Sequence, residues 1–194
     1  MSTTPGVVVR RVRPDEWQHV RELRLEALRD PDARMAFLDT FASSRAQPDE
    51  FWRQRALAGA ESEAAAQFVG IDGAAWVASA TGLVLDAGSL DHLARTVHTR
   101  RVDVVGVYVG PGHRGSGLLD ALFHAVAGWA AELGIDRLTL DVHADNARAQ
   151  RAYRRVGFVE TGTTFTGPIG PELEMRWIPP ITRDDRGAAG IVPA

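Results

Sequence analysis

Cysteine is absent from the 194-residue chain, so it can build no disulfide framework, thiolate metal site or cysteine nucleophile. Lysine is absent too, and all 22 basic side chains are arginine. That excludes a phosphate loop of the Gly-x-x-x-x-Gly-Lys-[Ser/Thr] type, whose lysine must reach the phosphates. Charge of one sign is also scarce: a net charge of −3 gives no electrostatic footprint for nucleic acid. No apolar run is long enough to span a bilayer, and Met1-Ser2-Thr3-Thr4-Pro5 has neither the charged nor the apolar region of a secretion signal. A cytoplasmic protein that binds neither membrane nor nucleic acid is therefore expected. A hydrophobic share of 45% against 24% charged is that of a soluble globular chain, and the length suits one domain with a proper core.

What is present alternates between strand and helix patterns. Residues 7–12 alternate weakly and predict a first strand. Pro14-Asp15-Glu16 supplies a helix start, and Trp17, Val20, Leu23, Ala27 and Leu28 recur at helical spacing over 15–29. A shorter helical segment is expected over 34–42. Pro48-Asp49-Glu50 opens another helix that ends before Gly59, in which Trp52 reads as core or as a residue on the substrate side. Asp72-Gly73 joins strands at 67–71 and 74–85 as a hairpin. Residues 86–101 read as a connecting loop, and 102–109 as a buried central strand.

Beyond a glycine-rich turn, Leu118, Leu122, Phe123, Val126, Trp129, Ala130 and Leu133 form an apolar helical stripe that stops at Gly134. Leu138, Leu140 and Val142 then alternate with Arg137, Thr139 and Asp141 in a strand. Strand, helix and strand with short connections imply a right-handed parallel crossover. Asp145-Asn146 caps a helix over 147–155 that Gly157 ends, residues 158–161 and 171–177 form a last antiparallel pair, and 179–194 read as a tail.

The turn at 110–118 carries the chemistry. A β-branched strand that breaks at Gly110-Pro111-Gly112 and restarts as a helix near Ser116 points unpaired amides, at the positive end of a helix dipole, toward one spot. Glycines at 115 and 117 remove the Cβ atoms that would keep a diphosphate away. Gly110 to Gly115 also spells Gly-x-Gly-x-x-Gly, but a dinucleotide fold needs repeated βαβ units and too little chain follows to supply them. Taken alone, the loop also fits a glycine turn with no ligand.

Arg114-Gly115-x-Gly117 at a helix start resembles the acyl-CoA pyrophosphate loop, Arg/Gln-x-x-Gly-x-Gly/Ala, of the GNAT N-acetyltransferase superfamily. Leu140-x-Val142 followed by Asn146-x-x-Ala149-x-x-x-Tyr153-x-x-x-Gly157-Phe158 resembles its companion motif, in order and at the matching distance. Leu119 departs from the pattern, standing where the family has glycine or alanine. The resemblance implies an α+β fold: a mixed, mostly antiparallel twisted sheet with helices on both faces, over residues 1–178. It implies acetyl transfer from acetyl-CoA to a primary amine by direct attack in a ternary complex, and a homodimer. The other function class is a catalytically silent acyl-CoA-binding sensor module.

By the same resemblance, amides of Arg114, Gly115, Ser116, Gly117 and Leu118 hold the pyrophosphate. Backbone of Val107, Tyr108 and Val109 lies along the pantetheine arm and serves the oxyanion, and Asn146 contacts the CoA arm. Tyr153 takes the general-acid position; its other reading is a core tyrosine, and that of Asn146 is a helix cap. Asp103 resembles the strand acid that some members use as base. Strand alternation sets it beside Val105, Val107 and Val109, while pairing with Arg100 or Arg101 reads equally well. His143 and Glu174 are weaker base candidates. Arg148, Arg151, Arg154 and Arg155 form a basic band that suits either a 3′-phosphate or a solvated helix end.

Overall fold

A computed structural model describes residues 6–178. Its strands are β1 (Val7–Arg11), β2 (Ala65–Asp72), β3 (Ala75–Leu85), β4 (Arg101–Val109), β5 (Leu138–His143), β6 (Phe158–Gly167) and β7 (Gly170–Trp177). They form one sheet in the order β1-β2-β3-β4-β5-β7-β6, antiparallel throughout except for the β4–β5 pair. Helices α1 (Trp17–Ala27), α2 (Phe41–Arg45), α3 (Asp49–Glu61), α4 (Leu118–Glu132) and α5 (Ala147–Arg155) cover both faces. On one side the stripe Leu122, Phe123 and Val126 of α4 buries against Val102, Val104, Leu138, Leu140 and Phe158. On the other, Val20, Leu23 and Ala27 of α1 and Trp52 and Ala56 of α3 bury against Val12, Val69 and Tyr108.

The elements depart from the sequence reading in three places. The 34–42 segment is no single helix. A 3₁₀ turn at Ala33–Met35 is followed by α2, which starts only at Thr40, where the Ser43 N–H donates to Thr40 Oγ1 at 3.1 Å and the Thr40 N–H to Ser43 Oγ at 3.0 Å. Helix α3 continues through Gly59, where glycine serves close packing and not a stop: a Cβ there would lie 2.9 Å from Gln67 Cβ. Strand β6 runs on to Gly167 and makes a long hairpin with β7. Of its two readings, Trp52 takes the core one, fully buried with Val12, Val20 and Ala56. The tail at 179–194 lies outside the described residues. Among those described, no helix is long and apolar enough to cross a membrane.

The fourth strand shapes the site in two ways. Its register with β3 slips between Ser79 and Thr81, and Gly106 sits at φ +62° within the resulting bulge. The slip breaks the expected alternation. Asp103 and Val105 share a face with Tyr108, opposite Leu83, Thr81 and Ser79, whereas Val107 and Val109 turn to the α4 side. Strand β4 also pairs with β5 only at Val102↔Leu138 and Asp103↔Thr139, after which the two strands diverge.

Candidate active site

A cleft of about 660 Å³ opens where β4 and β5 part. At one end lies the glycine turn. Gly115 (φ +78°) and Gly117 (φ +86°) take left-handed conformations, and Gly117 caps α4. The first helical return bond is Ala121 N–H to Gly117 O, so every backbone N–H from Arg114 through Asp120 lacks an acceptor among the described residues. A run of unpaired amides at a helix start is an anion cradle. Arg114, Gly115 and Gly117 line the cleft; Ser116 spends its hydroxyl on the His113 carbonyl at 2.7 Å, and the Leu118 side chain is buried beneath. Leu119 packs partly on the core and partly along the cleft wall, leaving its own amide in the cradle.

The Arg114 side chain is held in place by protein. Its Nε donates to the Val109 carbonyl at 3.0 Å and its Nη2 to Asp30, which also accepts from Arg148 at 3.1 Å. Burial opposes ionisation of Asp30, but the Asp32 amide and the two guanidinium groups hold its carboxyl below the usual range. Asp30, on the segment after α1, is a residue the sequence reading missed; it ties together the two arginines nearest the cradle. The basic band is accordingly broken, with Arg148 on Asp30 and Asp32 and Arg154 on Glu160.

Tyr153 projects from α5 to the cleft wall, edge-on to Phe123 with ring centres 5.8 Å apart. Its hydroxyl makes no hydrogen bond to the described residues, and burial pushes its pKa up to about 12, so it stays protonated. Asn146 does cap α5, accepting from the Ala149 N–H at 3.0 Å while also lining the cleft. Val107, Tyr108 and Val109 lie along the β4 edge that has lost its β5 partner, though the Tyr108 hydroxyl is turned away to Glu26 at 3.0 Å.

Of the two readings of Asp103, the ion pair is the one its side chain adopts. Arg101 Nε donates to it at 2.8 Å and Thr139 Oγ1 donates to the same oxygen. His143 has both ring nitrogens committed: one bonds the Ile169 carbonyl at 3.1 Å, and Nδ1 accepts from the Asp145 N–H at 3.0 Å. That leaves it no lone pair for a base. Glu174 stands opposite Asp141 in the β5–β7 register, outside the cleft lining.

Two further acids do line the cleft. Asp141 accepts from Arg95 Nη2 at 2.6 Å, yet burial pushes its pKa up to about 7, with Asp103 and Glu174 adding to the rise. Glu172, 7% exposed, has Oε1 buried without any partner. The alternation of Thr139, Asp141 and His143 against leucine and valine was the signal that these side chains share one face.

The model of the Acetyltransferase (GNAT) family matches residues 17–158. An uncharacterised N-acetyltransferase of Mycobacterium tuberculosis is 42% identical over 64 residues, 33% of this chain and 41% of that protein. Streptothricin acetyltransferase of Streptomyces lavendulae is 35% identical over 83 residues, 43% of this chain and 44% of its own length. The match thus spans less than half of these curated relatives. In fold, the PaiA N-acetyltransferase of Thermoplasma acidophilum, crystallised with coenzyme A, superposes with a TM-score of 0.65 at 12% identity, over 87% of this chain and 98% of that one. With its family model matched from the first helix to the start of β6, this chain belongs to the GNAT acetyltransferase family.

Proposed function

We propose that the protein is an N-acetyltransferase that takes acetyl-CoA as acyl donor and a primary amine as acceptor, both bound in one cleft. The observation that carries this reading is the unbroken set of unpaired amides from Arg114 to Asp120 at the mouth of the split between β4 and β5. A diphosphate satisfies those amides, and an extended pantetheine arm suits the β4 edge, where Val107 to Val109 have no partner on the β5 side. Backbone N–H groups on that edge then meet the oxyanion that develops on the acyl carbonyl. The streptothricin acetyltransferase among the relatives is named for acyl transfer to one acceptor; nothing ties this chain to the same one.

Three proton movements complete the chemistry. An acceptor ammonium loses one proton before its nitrogen can attack, and a second as the C–N bond of the amide forms. Asp141, with its raised pKa beside the split, is the better acceptor of the first, since Asp103 is already bonded to Arg101 and Thr139. As the C–S bond breaks, the Tyr153 hydroxyl donates a proton to the departing sulfur and is restored by the second proton from the nitrogen, so that one proton is released to solvent overall. The test is free-thiol release from acetyl-CoA across a panel of amines. Tyr153→Phe is expected to slow turnover by ~10²-fold or more with acetyl-CoA affinity kept. Unchanged turnover removes Tyr153 from the chemistry. Tight acetyl-CoA binding with no thiol release from any amine supports the silent binding module instead.

A further inference from the structure

The acceptor's charge is written on one wall of the cleft; this inference rests on the acyl-transfer reading above. Thr139, Asp141 and His143 share a face of β5, and across the antiparallel register Asp141 stands opposite Glu174 and His143 opposite Glu172. The 86–101 loop covers that face with too few cations to neutralise it. Arg101 is matched by Asp103. Arg95 serves two acids at once, through Nε to Asp91 and Nη2 to Asp141, each at 2.6 Å. Glu172 has no ion pair or hydrogen bond among the described residues, although His92, Arg95 and His143 are near enough to draw its pKa down against the larger rise from burial. Its Oε1 packs directly over Gly167, in the space a Cβ would take.

A buried carboxyl without a partner keeps its proton or takes a cation, and Glu172 lines the cleft through which one would come. We propose that the acceptor is an amine bearing a second cationic group, and that Glu172 receives that second group while the reacting amine lies toward Asp141 and the β4–β5 split. The opposite wall holds one countervailing feature. Arg55 on α3 makes no ion pair among the described residues and also lines the cleft, so an acceptor with a carboxylate would find a partner there.

Calorimetry on the full chain saturated with coenzyme A separates these cases, using putrescine, butylamine and γ-aminobutyrate as probes. Putrescine is expected to bind ~10-fold or more tighter than butylamine, the gain of one charge-assisted bond, and Glu172→Gln to bring putrescine down to butylamine's level. Equal affinity of putrescine and butylamine overturns the proposal, as does tightest binding of γ-aminobutyrate or an undiminished gap in the variant. If Glu172→Gln does not fold, the wild-type comparison decides alone. Thiol release is read in parallel with acetyl-CoA. Putrescine-selective binding without release from any amine defeats the transferase reading and leaves the subsite. Release from butylamine at equal affinity does the reverse.

Discussion

A carboxyl shielded from water, with Asp103 and Glu174 nearby, keeps its proton to about pH 7 even though Arg95 is bonded to it; that is the situation of Asp141. The sign of its linkage follows. Between its ordinary value of 3.8 and about 7, the folded chain holds a proton that the unfolded chain has lost. Its contribution to stability is therefore complete below pH ~4 and disappears as pH rises toward 7. As a proton acceptor it works only above that range. The pH profile of kcat/KM is expected to rise through about 7, and Asp141→Asn to remove that limb and lower the rate by ~10²-fold or more. Urea unfolding of the same variant should lose the stability slope between pH 4 and 7, a window set by the two values above. At this scale the sequence was partly legible. Arg101, two residues from Asp103 on one strand face, was readable as its partner. Glu172 was not, since its isolation depends on which face the 86–101 loop covers.

The glycine turn was legible as an element because its signal is local: a β-branched strand, glycines at 115 and 117, then an apolar stripe. Gly115 offers a clean separation of fold from binding. A Cβ there meets nothing within 4 Å, so Gly115→Ala suffers only the left-handed strain at φ +78°, ~1–2 kcal/mol. The new methyl nevertheless enters the space before the amides. Differential scanning should show a modest fall in melting temperature, while acetyl-CoA affinity drops ~100-fold or more, about 2.8 kcal/mol and so beyond that ~1–2 kcal/mol. Comparable losses in apo stability and affinity would mean that the turn is structural only. Other elements were misread where a distant partner decided them. Gly59 is glycine because Gln67 on β2 lies against it and not to end the helix, and Gly106 turns the central strand at a bulge that only the register with β3 reveals.

Across the whole molecule, a mixed sheet with helices on both faces was within reach of the motifs, but the β5-β7-β6 order was not, since no local pattern says that the last hairpin folds back to set its second strand beside β5. That arrangement gives the cleft one apolar wall with Tyr153 and one acidic wall with Asp141 and Glu172, while Asp30 joins the α1 side to the turn and to α5. Ligand that bridges these parts should stabilise the entire fold. Acetyl-CoA at 100 times its Kd is expected to raise the unfolding free energy by ~2.7 kcal/mol, whereas S-acetylpantetheine, which lacks the diphosphate, should give a much smaller rise at the same concentration. Equal stabilisation by the two would place the affinity outside the turn.

The most direct measurement is a crystal structure of the full chain with acetyl-CoA. Diphosphate oxygens within hydrogen-bonding distance of the amides from Arg114 to Asp120, and the thioester between β4 and β5 beside Tyr153, are the expected result. A diphosphate bound elsewhere, with those amides still facing solvent, would contradict it.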